Sequence, residues 1–124
     1  MKCLSYFIKE ELNKSTLIKI NNQRLRQKKE ALVAIKRGLS KKGSDELKSL
    51  AETTYASIGN YKTPDELSKA HNDGDISGYK ELEDLVKEAN GDKKVDFDTM
   101  CDVIQLLANG ETLDRAITTL AKKL

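Results

Sequence analysis

Covalent or acid–base chemistry in this chain would have to be built from one histidine, His71, and two cysteines, Cys3 and Cys101. A nucleophile needs a base held against it, and a reactive thiol needs a nearby cation or helix N-terminus to lower its pKa. No spacing promises either. His71 stands beside Asn72, Asp73 and Asp75, turn-forming residues among which a solvated imidazole is expected. No Gly-x-Ser-x-Gly elbow accompanies it, no glycine-rich phosphate loop appears, and the seven glycines read as helix stops. The expectation is a protein that is not an enzyme and carries no cofactor.

Carboxylates offer a second chemistry. Asp73, Asp75, Ser77, Gly78, Glu81 and Asp84 fall at positions 1, 3, 5, 6, 9 and 12 of a calcium-binding loop. Oxygen ligands at alternate positions, with a glycine at the sharp bend, are what a small cage around a hard cation requires. The pattern then breaks, because Lys80 occupies an apolar position and the shorter Asp84 replaces the bidentate Glu. The run from Asn90 to Asp98 also resembles an EF-hand loop around Val95 and Phe97, with Lys93 in place of its glycine and Thr99 in place of its Glu. Paired EF-hands place two helices between successive loops, and here only one segment, from about Tyr79 to Ala89, separates them. Helix caps and solvated turns account for the same residues, so no metal site is expected. A degenerate EF-hand-like module stands as an alternative.

Cations offer a third. Residues 21–43 hold Arg24, Arg26, Lys28, Lys29, Lys36, Arg37, Lys41 and Lys42 against the single acid Glu30, whereas residues 71–98 are rich in acids. On a helix turning about 100° per residue, Leu25, Leu32, Ile35 and Leu39 share one face. Arg26, Lys29, Lys36, Arg37 and Lys41 fall on the opposite arc. Such a face can meet phosphates or an acidic protein surface, including the acidic stretch of a second copy. It lacks interleaved aromatics for base stacking, and no helix-turn-helix, zinc-finger or RNA-binding signature accompanies it.

The elements that would position these groups are helical. Leu4, Phe7, Ile8 and Leu12 recur at helical spacing, and Ile18, Leu25, Leu32 and Leu39 recur every seventh residue. The second series predicts a helix from about Leu17 to Ser40, with Thr16–Ile20 as an alternative short strand. It also offers a stripe for homo-oligomer formation, although Asn21 and Lys28 leave the companion heptad positions polar. Beyond Gly43, Ser44 reads as an N-cap, and Leu47, Leu50, Ala51, Thr54 and Ile58 mark a helical face stopped by Gly59. Thr63-Pro64-Asp65-Glu66 is a capping box opening a short helix to about His71. Leu82, Leu85, Val86 and Ala89 mark another helix. Met100, Val103, Ile104 and Leu107 mark the next, and Leu113, Ala116, Ile117, Leu120 and Leu124 the last. The prediction is an all-α bundle of five to seven helices in a single domain. It has a basic helical segment over about 1–42 and a capped helical remainder over about 44–124.

Composition agrees. Aromatics are 5% of the 124 residues and there is no Trp, too few for a sandwich or barrel. No stretch approaches the roughly 20 apolar residues that span a bilayer, so no membrane partner is expected. Leu4–Ile8 is too short for a signal-peptide core, and two cysteines without a disulfide pattern point to reduced thiols and a cytoplasmic protein. By elimination the expected function is a non-enzymatic interaction or regulatory protein that presents helix faces to a protein partner. Nucleic-acid binding through the basic face of residues 26–41 is the alternative.

Overall fold

A computed structural model describes residues 22–124. The face Leu4, Phe7, Ile8 and Leu12, the alternative strand Thr16–Ile20, and Ile18 lie outside the described residues. The part of the predicted helix that the structure describes, from Asn22 to Leu39, is helical throughout.

The described residues form six helices and no strand. They are α1 (residues 22–39), α2 (Ser44–Ile58), α3 (Pro64–Asp73), α4 (Tyr79–Ala89), α5 (Phe97–Ala108) and α6 (Leu113–Lys122). Local chemistry sets their ends. Thr63 Oγ1 accepts from Glu66 N–H at 3.2 Å, while the Glu66 carboxylate accepts from Lys62 N–H at 3.1 Å. The reciprocal bond of the capping box therefore lands one residue earlier than the motif implies. Asp96 caps α5, accepting from both Thr99 N–H and Thr99 Oγ1. Thr112 caps α6 through Arg115 N–H. Gly43, not Ser44, is the N-cap of α2, and no side chain caps it. Helix α3 runs past His71 to Asp73, where left-handed Gly74 stops it.

Helix α5 is the axis of the core. Met100, Val103, Ile104 and Leu107 are all buried on it, and it packs along α2 and against α6. Leu47 and Ala51 of α2, Leu82 and Val86 of α4, and Ala116 of α6 belong to the same buried cluster. Leu124 falls beyond α6 and stays exposed, so it does not extend that helix's apolar face.

Helix α1 completes the core with Ala31, Leu32, Ala34, Ile35 and Leu39. Gly38 lies inside it and is not a helix stop. A Cβ built at Gly38 would stand 2.6 Å from the Leu85 carbonyl oxygen and 2.7 Å from the Val86 Cα. The missing side chain lets the backbones of α1 and α4 touch. Of the stripe expected to serve as an oligomer seam, Leu32 and Leu39 are 3% and 0% exposed and belong to this chain's own core, while Leu25 is half-buried. The heptad spacing arose because a core-facing helix repeats its apolar positions nearly as a coiled coil does.

Candidate interaction face

Because α1 buries one side against α4 and the core, its other side is fixed toward solvent. Arg26, Lys29, Lys36 and Arg37 are all exposed on it, and Lys41 follows in the turn after it. The structure divides these cations. Lys36 Nζ lies 3.6 Å from Asp114 Oδ1, and Lys41 Nζ lies 3.6 Å from Glu88 Oε1. Neighbouring Lys42 makes the tighter contact, 2.9 Å to Glu81 Oε1, and that hydrogen bond raises its pKa. The basic and acidic halves of the sequence therefore meet within one molecule. Such exposed pairs contribute little to stability, but they place carboxylates beside those cations. Arg26, Lys29 and Arg37 have no carboxylate at ion-pairing distance among the described residues.

Between these three cations stands Val33, which is 52% exposed. Arg26, Lys29, Val33 and Arg37 succeed one another by three or four residues and so share one stripe of the helix. Beside the stripe, Lys29, Glu30, Val33, Ala34, Arg37, Ala89 and Asn90 line a shallow depression of 340 Å³ where α1 meets the C-terminal end of α4. Val33 had a sequence signal, a β-branched aliphatic out of phase with the core positions of α1. Charge patterning drew attention to its neighbours instead.

The acidic segments take other roles. Asp73 is the last residue of α3, whereas Glu81 and Asp84 lie on α4, so the six positions of the calcium-loop pattern straddle two helix ends. Glu81 pairs with Lys42, and Ser77 N–H donates to Ser57 Oγ at 3.0 Å. Gly78, with φ 75°, is the N-cap of α4 and sits so close to α2 that a Cβ would meet Thr54 Oγ1 at 2.7 Å. In the second segment the Asp96 carboxylate is engaged as a cap. Among the described residues no three His, Cys, Asp or Glu side chains are placed to hold a metal ion.

His71 is not a solvated turn residue. It lies on α3 with its ring stacked on Phe97 at 4.1 Å between centroids, and edge-on to Tyr79 at 5.0 Å. Its Nε2 is 3.3 Å from Glu83 Oε2, and both side chains are largely covered. The cluster joins α3, α4 and α5, and burial of Tyr79 drives its phenol pKa up. Cys101 is a free thiol whose pKa is pushed up to about 12, by burial first and then by Asp98, Asp102 and Asp96. It stays protonated at neutral pH, the opposite of an activated nucleophile.

No protein-family model, curated protein or solved structure matches the chain at a significant level. Among the described residues, no helix is long and apolar enough to cross a membrane.

Proposed function

We propose that the protein is a non-enzymatic interaction or regulatory protein whose outer α1 face binds a protein partner. The observation that carries this reading is exposed Val33 set among Arg26, Lys29 and Arg37. Phosphates reward cations alone, whereas an aliphatic side chain gains by being covered with other apolar surface. Arginine is itself enriched at protein interfaces, where a few well-packed residues carry most of the affinity. The protonated Cys101 thiol and the Glu83-bound, stacked imidazole of His71 favour a role without covalent chemistry. A reducing, cytoplasmic setting suits the free Cys101 and belongs to the same proposal.

Nucleic-acid binding by the same cations is the competing reading, and salt dependence tests it. With Arg26, Lys29 and Arg37 the cations of this face that have no carboxylate at ion-pairing distance among the described residues, log affinity for duplex against log salt should have a slope of about −3. Random-sequence duplex, titrated by fluorescence anisotropy, is expected to bind no tighter than roughly 1 µM at physiological salt. Nanomolar, salt-steep binding, shallowed by about one unit of slope in Arg37→Ala, would reverse the ranking of the two partners.

A further inference from the structure

We propose that the depression between α1 and the end of α4 receives an acidic helix of a partner protein, with one aliphatic side chain on Val33 and carboxylates on Lys29 and Arg37. This rests on the protein-binding reading above and names the partner's chemistry. Lys29, Val33 and Arg37 are each four residues apart, so charge, apolar contact and charge succeed one another about 6 Å apart along α1. A second helix laid along the stripe repeats the same rise, and Glu-x-x-x-Leu-x-x-x-Glu places complementary groups opposite each position in either direction. An extended segment would find no sheet edge to complete its backbone hydrogen bonds among the described residues, whereas a helix satisfies its own.

The floor and rim of the depression fit this occupant. Ala34 and Ala89 contribute only methyl groups, and the α1–α4 backbone contact at Gly38 holds the two helices close beneath it. A single aliphatic side chain can therefore settle beside Val33 without displacing a large residue. Glu30 is the one acid on the rim, so carboxylates are favoured toward Lys29 and Arg37 and disfavoured on its flank. Lys36 and Lys41 already face Asp114 and Glu88, whereas Lys29 and Arg37 beside Val33 have no carboxylate at ion-pairing distance among the described residues.

The test is fluorescence anisotropy of the full chain with labelled, alanine-rich helical peptides of about 20 residues, long enough to hold helix in isolation. One carries Glu-x-x-x-Leu-x-x-x-Glu, one has its Leu replaced by Ala, and one has both Glu replaced by Lys. The acidic Leu peptide is expected to bind about tenfold tighter than the Lys peptide, because like charges then face Lys29 and Arg37. It should bind about fivefold tighter than the Ala peptide, from partial burial of the aliphatic group. Val33→Ala should bring that second ratio close to one, and melting of the variant confirms that the fold is kept. Three results would overturn the proposal: no saturable binding of the acidic Leu peptide, equal binding of the Lys peptide, or a Leu preference that survives Val33→Ala. If the peptide fails while nuclease-resistant capture of a partner still depends on Val33 and Arg37, the acidic occupant is wrong and the protein-binding reading stands.

Discussion

Gly38→Ala is expected to destabilise the protein by about 1–3 kcal/mol, the range for overpacking a close contact. Elsewhere in a helix the same change stabilises by about 1 kcal/mol, because alanine loses less backbone entropy than glycine. The sign reverses here because the new methyl would meet the backbone of Leu85 and Val86 at 2.6–2.8 Å, and backbone cannot rotate aside as a side chain can. Helix α1 must lift from α4, loosening Ile35 and Leu39, which are fully buried beneath that crossing. For a domain of this size the loss corresponds to a melting temperature lowered by roughly 4–12 °C. Gly43→Ser is the matched control, since a Cβ at Gly43 meets nothing within 4 Å and a serine N-cap suits α2. Thermal melts by circular dichroism should move in opposite directions for the two variants. A rise in melting temperature for Gly38→Ala would mean that α1 does not lie on α4 as described.

Leu39→Ala is expected to cost about 2–5 kcal/mol, the range for truncating a fully buried leucine. Leu39 is 0% exposed, and its loss would leave a cavity at the junction of α1 with the core. The companion change on the same helix, Val33→Ala, removes an exposed β-branched side chain and should leave stability unchanged or raise it by a few tenths of a kcal/mol. Denaturant titrations at two protein concentrations separate the two meanings of the heptad stripe. If Leu39 serves the chain's own core, its effect is independent of concentration. A midpoint that rises with concentration in the native protein and loses that dependence in Leu39→Ala would restore the oligomer seam.

How legible the molecule was in its sequence differs from element to element. Helices α2, α4 and α5 were readable because Leu47, Ala51, Leu82, Val86, Met100, Val103, Ile104 and Leu107 repeat with the helical period, and the start of α3 because its Thr63 cap acts over a few residues. Gly38 was misread because glycine in a helix looks the same locally whether it stops the helix or admits another backbone. Only the position of α4 tells the two apart. His71 was misplaced for the same reason. Its stacking partner Phe97 is distant in sequence, and its immediate neighbours, Asn72 and Asp73, spoke for a turn. The cations of α1 were found as a group, but their division was not, since Asp114 and Glu88 reach Lys36 and Lys41 only once the chain has folded. Val33 was legible as an aliphatic out of phase with the core positions, but only the division of the cations ties it to Arg26, Lys29 and Arg37.

The protein-binding role proposed for the outer face of α1 depends on Val33 and its flanking cations. Affinity capture from lysate of the source cell, with nuclease present, tests it most directly when the native chain is compared with Val33→Ala/Arg37→Ala by quantitative mass spectrometry. Both residues are exposed, so the double variant should melt with the native protein and any loss of capture reports on the face itself. The expected result is a defined set of proteins that survives nuclease treatment and falls at least tenfold with the double variant, as for anchor residues at an interface. Captured material that disappears with nuclease, or a protein set unchanged by the double variant, would rule out protein binding by this face.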